Sequence, residues 1–194
     1  MRNSNLHVGM IFFQGSRSSA FHFKFYCAVE YPPRGFVKLN FDGSRIHNST
    51  AGIFIIHGWV GNLIKTGAAP YGDTSILVAE ARALWEGLQE AIKAEVKFLI
   101  IEGDNSIVIQ AIKGTVCVQW KIRFIIRDIS HYLNQLSHVT VSHNYREANL
   151  AANCLAKLGH SLPAFTTWES PPSTELRDIM DDDSTGRALV RRGV

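Results

Sequence analysis

Apolar and polar residues alternate along Val37-Lys38-Leu39-Asn40-Phe41, and the alternation stops at Asp42-Gly43-Ser44. A period of two marks a strand with one buried face, so residues 36–41 are expected to form a first strand that ends on an acid. Residues 51–57 (AGIFIIH) read as a second strand, and Gly61-Asn62 as the turn into a third over residues 63–68. Asp73, Thr74 and Ser75 are N-cap candidates for a long helix reaching Ala94. Residues 96–101, apolar except for Lys97, have the pattern of a strand buried on both faces. Asn105 then caps a short helix that ends near Gly114. Apolar positions at Ile122, Ile125, Ile126, Ile129 and Leu133 predict a helix over residues 120–133. A last strand over 139–145 and a last helix over 149–158, stopped by Gly159, complete the pattern.

The order βββαβααβα, without internal repeats, predicts an α/β fold: a five-stranded mixed sheet covered by helices on both faces. Adjacent prolines in Tyr31-Pro32-Pro33-Arg34-Gly35 fix extended backbone and mark a boundary. Residues 1–33 are read as a poorly ordered leader or upstream remnant, 34–160 as the folded domain and 161–194 as a flexible tail. Pro171-Pro172, the run Asp181-Asp182-Asp183 and the cluster Arg187, Arg191 and Arg192 support the tail reading, and the acidic run is taken as solvated rather than metal-binding. The leader carries Arg2, Arg17 and Lys24 but no acid before Glu30, a composition that organellar transit peptides share. The nucleus or cytoplasm is nonetheless the expected compartment.

Composition adds modest limits. With 46% hydrophobic residues among 194, one core is affordable. A net charge of +3 and a pI of about 8.8 are compatible with a nucleic-acid partner without demanding one. Cys27, Cys117 and Cys154 lie far apart with no CxxC pair, which argues against a disulfide framework or a zinc site. No apolar run approaches the roughly 18 residues that span a membrane.

The chemistry lies in the acids. Glu80 shares helical spacing with Ile76, Ala83, Leu84 and Gly87, so it projects from the inward face, whereas Arg82, Glu86, Gln89 and Glu90 are expected to look outward. Asp104 follows a buried strand, as Asp42 follows the first. Singly, Asp42 fits an ordinary turn residue and Asp104 a helix cap. Together, two strand ends and an inward helix face can converge. Carboxylates about 5 Å apart repel by about 3 kcal/mol per pair at an effective dielectric near 20. Three such pairs approach a domain's whole stability, so the cluster must protonate or bind a divalent cation. All-oxygen ligands favour Mg²⁺ or Mn²⁺.

Lys38-Leu39-Asn40-Phe41-Asp42-Gly43-Ser44, Ala79-Glu80-Ala81-Arg82-Ala83-Leu84, Glu102-Gly103-Asp104 and Arg146-Glu147-Ala148-Asn149 together resemble the type 1 ribonuclease H family. The likeness is nearest to the plant reverse-transcriptase-like ribonuclease H domains related to non-LTR retrotransposons, and it runs from about Tyr31 to Gly159. It implies a ribonuclease H-like fold and hydrolysis of the RNA strand of an RNA–DNA hybrid by a monomer, with two metal ions present when substrate is bound. Asp42 would bridge both ions, with Glu80 and Asp104 completing the leaving-group side. Gly43, Ser44 and Asn105 would lie against the nucleic acid, where 2′-hydroxyls distinguish RNA. His143 stands near the place of a histidine that assists product release or proton transfer in some relatives; an ordinary strand histidine fits as well.

The departure is Asn153, where related sequences usually carry Asp. An amide oxygen still ligates a cation but brings no charge, so hydrolysis is expected to be weakened and to need more metal. Asn153 and the absence of a long basic insertion keep a second reading open, that of a catalytically degenerate, retroelement-derived binding or interaction module. Trp120, Lys121, Arg123 and Arg127 form either a basic face for phosphates or, as preferred, the solvated side of a helix.

Overall fold

A computed structural model describes residues 32–143, residue 155 and residues 158–178. Strands β1 (Val37–Ile46), β2 (Ser49–Gly58) and β3 (Leu63–Gly72) form an antiparallel meander. Helix α1 (Ile76–Lys93) follows, then β4 (Phe98–Gly103), α2 (Ser106–Ile112), α3 (Arg123–Leu133) and β5 (His138–His143). A short β6 (Thr166–Trp168) closes the order β5-β4-β1-β2-β3-β6, in which β4 and β5 run parallel to β1 and the other neighbours are antiparallel. The fold is α/β with a mixed sheet, as the element order predicts.

Alternation along β1 decides what lies on each face. Leu39 and Phe41 point into the main core with Phe54, Ile56, Leu99 and Ile101, beneath Leu84 and Leu88 of α1 and Ile126 and Ile129 of α3. The opposite face carries a smaller core of Ile53, Ile55 and Ala68 against Leu155 and Leu176, with helical Leu158 packed beside it. Helical residues therefore stand on both sides of the sheet. Ser75 caps α1 by accepting from the Val78 N–H at 3.3 Å, while the neighbouring candidate Asp73 pairs with Arg45 at 3.0 Å instead.

Four expectations are corrected. First, β1 does not stop at Asp42 but continues to Ile46, and the hairpin turn comes after it, with His47 at φ 53°. The break in alternation at Gly43 marks a close approach of α1 rather than a turn. Second, the sheet has six strands rather than five. Third, the stretch read as tail contributes β6 and a helical turn over residues 174–178, whose Leu176 is fully buried. Three residues of strand carry too little periodicity to be recognised. Fourth, Glu90 is buried, not outward, because Lys93 (2.6 Å) and Lys65 (3.3 Å) neutralise it at the core's edge; Glu86 turns partly inward to accept from the Tyr71 hydroxyl at 2.7 Å. Boundaries moved too: α3 begins at Arg123, leaving Trp120 and Lys121 in the preceding turn.

The second face also buries charge. Lys38, 3% exposed, reaches Glu102 at 3.0 Å, and His57 sits across from Lys38 in the β1–β2 register. Burial, aided by the Lys38 charge, lowers the His57 pKa from 6.5 to about 4. Between those values the unfolded chain takes up a proton that the folded protein refuses. His57 therefore costs nothing above pH 6.5 and subtracts stability as the pH falls towards 4, by on the order of 3 kcal/mol. Urea denaturation at pH 7 and pH 4.5 should show a smaller acid loss in His57→Asn than in the wild type; equal losses would rule out this source. A second expectation concerns Gly103, where an added Cβ would lie 2.4 Å from the fully buried Phe41 ring. Gly103→Ala should destabilise the domain by about 1–3 kcal/mol in the same assay at pH 7.

Candidate metal centre

The three acids meet because of how β1, β4 and α1 are joined. Phe41 pairs with Gly103 in the last rung of the parallel β1–β4 ladder, so Asp42 and Asp104 leave that ladder side by side. Glu80 lies one turn into α1, and Gly43 lets it come close. A Cβ at Gly43 would stand 2.9 Å from both Cγ and N of Glu80 and 3.2 Å from the Ala79 Cβ. One oxygen from each of Asp42, Glu80 and Asp104 lies within 4.8 Å of the other two. Asp42 and Glu80 are buried, whereas Asp104 is half-exposed and opens the cluster to solvent.

Electrostatics make this cluster costly as it stands. Burial pushes the Glu80 carboxyl well above the usual carboxylate range, and the charges of Asp42 and then Asp104 push it further. A Gly43 N–H bond pulls weakly the other way. The Gly43 N–H also donates to Asp42 Oδ1 at 2.9 Å. Glu80 Oε2 is buried and makes no hydrogen bond. A buried, unsatisfied oxygen beside two further carboxylates is a good match to a hard divalent cation, which takes oxygen ligands and cancels their repulsion. Asp42, Glu80 and Asp104 thus fit a hard divalent cation on donor chemistry.

Other predicted residues fall at different distances from this centre. His143 pairs with Gly103 across β4–β5, and its Nε2–H donates to the Asp104 carbonyl oxygen at 2.9 Å. That places the ring beside the open edge of the cluster. Asn105 caps α2, its Oδ1 accepting from the Ile107 and Val108 N–H groups at 3.1 and 3.3 Å. Its amide oxygen is committed to the helix. Ser44 lies two residues beyond Asp42 on the same face of β1, with its Oγ 3.2 Å from His160 Nε2. Asn153 and the Arg146-Glu147-Ala148-Asn149 motif lie outside the described residues.

Sequence reasoning missed His160, whose only signal was its position directly after the helix-stopping Gly159. It also left open the surface around Trp120. There, Trp120 and Phe124 are 77% and 61% exposed, Lys121 lies over the Trp120 ring, and Arg123 and Arg127 lie over Phe124. A groove at the start of α1 connects this surface to Arg45, Asp73, Thr74 and Ser75. Among the described residues no helix is long and apolar enough to cross a membrane.

Comparison with known proteins converges on one lineage. The family described as reverse transcriptase-like matches residues 40–159. A protein of Arabidopsis thaliana, provisionally named a ribonuclease H protein, is 26% identical over 168 residues, which cover 83% of this chain and 26% of that protein. The chain thus spans about a quarter of that relative's length. Ribonuclease H1 of Halobacterium salinarum superposes with a TM-score of 0.60 at 21% identity, over 64% of this chain and 96% of that one. LC11 ribonuclease H1, solved in complex with an RNA/DNA hybrid, gives 0.59 at 19% identity with the same coverage. At these identities the superpositions speak for the fold. The family match spans Asp42, Glu80 and Asp104, and the chain belongs to the reverse transcriptase-like family, with a ribonuclease H-like domain at its centre.

Proposed function

We propose that this domain hydrolyses the RNA strand of RNA–DNA hybrids, with Asp42, Glu80 and Asp104 holding Mg²⁺ or Mn²⁺. The observation that carries this reading is the convergence of three carboxylates around a buried Glu80 whose Oε2 has no hydrogen bond. A divalent cation would compensate that arrangement by ligation to the carboxylate oxygens. The hybrid enters because a relative in fold is solved on that ligand and because the family match covers the acids.

Each residue has a definite task. Asp42, Glu80 and Asp104 would together hold the metal, Asp42 from β1, Glu80 from α1 and Asp104 from the end of β4. Bound ions would supply a nucleophile at neutral pH and stabilise charge on the leaving oxygen. His143, tied through Nε2–H to the Asp104 carbonyl, stands at the solvent edge of the cluster, where it would assist product release or proton transfer. Asn153 would bring an uncharged oxygen to the fourth ligand position, which weakens the hold on metal. That same residue favours the second reading, a binding module that recognises nucleic acid without cutting it.

Cleavage of labelled hybrid, double-stranded RNA and single-stranded RNA in millimolar Mg²⁺ or Mn²⁺ separates the two. The nuclease reading expects the hybrid to be cut, Asp42→Asn to remove cutting, and Asn153→Asp to raise the rate or lower the metal requirement. Metal-insensitive binding without any cleavage would establish the module instead.

A stability measurement gives an independent check. Because the folded-state pKa of Glu80 is raised, metal-free protein loses stability as the pH climbs above the ordinary carboxylate value, where the unfolded chain has given up the proton. Glu80→Gln should therefore stabilise the metal-free domain at pH 7.5 by about 1 kcal/mol. Mg²⁺ should raise the Tm of the wild type and leave that of Glu80→Gln nearly unchanged. A wild-type Tm indifferent to Mg²⁺ would count against a cation site.

A further inference from the structure

The imidazole of His160 lies between two serines of the β1–β2 hairpin, with Nε2 3.2 Å from Ser44 Oγ and Nδ1 3.1 Å from Ser49 Oγ. Backbone packing holds it there. A Cβ at the preceding Gly159 would stand 3.0 Å from the Ala51 Cβ, so the backbone here is pressed against β2 beside the hairpin. Ala51 is the β2 partner of Ser44, which puts His160 over the very rung that Ser44 occupies. Ser44 itself is half-exposed and sits about 7 Å along the strand from Asp42, on the same face.

The hydrogen-bond arithmetic of this bridge is restrictive. Burial holds the His160 ring below the ordinary imidazole range, so it is neutral at pH 7. A neutral imidazole has one N–H and one lone pair. With a serine on each nitrogen, one hydroxyl must accept from the ring and the other must donate into it. Either tautomer holds the Ser44 Oγ against the ring and leaves its remaining hydrogen-bonding capacity directed away from it. In one tautomer Ser44 offers its hydrogen; in the other it offers a lone pair. A phosphate oxygen answers only the first. A ribose 2′-hydroxyl, both donor and acceptor, answers either.

We propose that His160 is a positioning residue that fixes the Ser44 hydroxyl as a contact for a ribose 2′-hydroxyl of the strand lying across Asp42, so that the pair favours RNA-containing duplexes over DNA. This rests on reading the carboxylate cluster as a nuclease centre. The gain comes from preorganisation, because a hydroxyl already held in one rotamer loses less freedom on binding.

Fluorescence anisotropy with Ca²⁺ in place of Mg²⁺ tests it, using an RNA–DNA hybrid and a DNA duplex of the same sequence. Ser44→Ala and His160→Phe should each weaken hybrid binding about fivefold, the scale of one hydrogen bond, with DNA-duplex binding unchanged. The double variant should be no worse than either single one, and His160→Gln, which keeps a donor and an acceptor, should recover part of the loss. In Mg²⁺ the same substitutions should raise KM for the hybrid and leave kcat alone. Should His160→Phe fail to fold, Ser44→Ala, a single hydroxyl deletion at a half-exposed site, still decides. Equal losses on both duplexes, or no loss, in a protein that cuts hybrid overturn this inference alone. A wild type that neither binds nor cuts hybrid overturns it together with the nuclease reading.

Discussion

Mutual repulsion among Asp42, Glu80 and Asp104 is the constraint to which the rest of this domain answers. Three carboxylate oxygens within 4.8 Å, two of them on buried residues, separate spontaneously unless the backbone prevents it. Three features prevent it here. The Phe41–Gly103 rung fixes β1 against β4 immediately before the two aspartates. Gly43 removes the side chain that would hold α1 away. Ser75 and the inward face of α1 fix the helix's rotation, so Glu80 has no outward alternative. The remaining cost shows in the Glu80 carboxyl, whose pKa burial and the Asp42 and Asp104 charges raise well above the usual carboxylate range.

The same strand that presents the acid also fills the core, and strand alternation makes the two roles compatible. Leu39 and Phe41 fill the main core while Lys38, Asn40 and Asp42 line the reverse face. Along that reverse face the charges are graded: Lys38 is matched by Glu102 at one end, and acids gather at the other. A buried pair such as Lys38–Glu102 contributes little net stability. Its consequence is registry. A one-residue slip of β1 would send Lys38 into the apolar core and Phe41 out of it, and would take apart the cluster of Asp42, Glu80 and Asp104.

How much of this was legible in the sequence follows from the physics of each element. Long periodic segments such as α1, and the buried apolar run of β4, declared themselves because their patterns repeat. The convergence of the acids was also accessible, since helix phase places Glu80 inward and strand ends place Asp42 and Asp104. What failed was everything that depends on distant partners. Gly43 reads locally as a turn, and only the packed helix shows it to be a point of close approach. Glu90 is as polar in sequence as any surface residue, and its burial is made tolerable by Lys93 together with Lys65, which arrives from β3. Leu176 and β6 find their places against β2 and β3 through contacts that no local period encodes. His160 belongs to the same class: its meaning lies in two serines more than a hundred residues away.

On the proposed nuclease reading, Asn153 becomes an energetic compromise rather than a simple lesion. A fourth carboxylate beside the other three would add a repulsion with each of them, every one of order a few kcal/mol at short range. On that reading an amide there would add none, and the metal-free domain would be easier to fold. The cost appears on the other side of the cycle. Cation affinity grows with ligand charge, and a site that repels itself less also attracts a cation less. Stability without metal and affinity for metal are therefore drawn from the same interaction with opposite sign. On that reading, a three-acid centre would shift the balance towards easier folding without metal and a weaker hold on a cation.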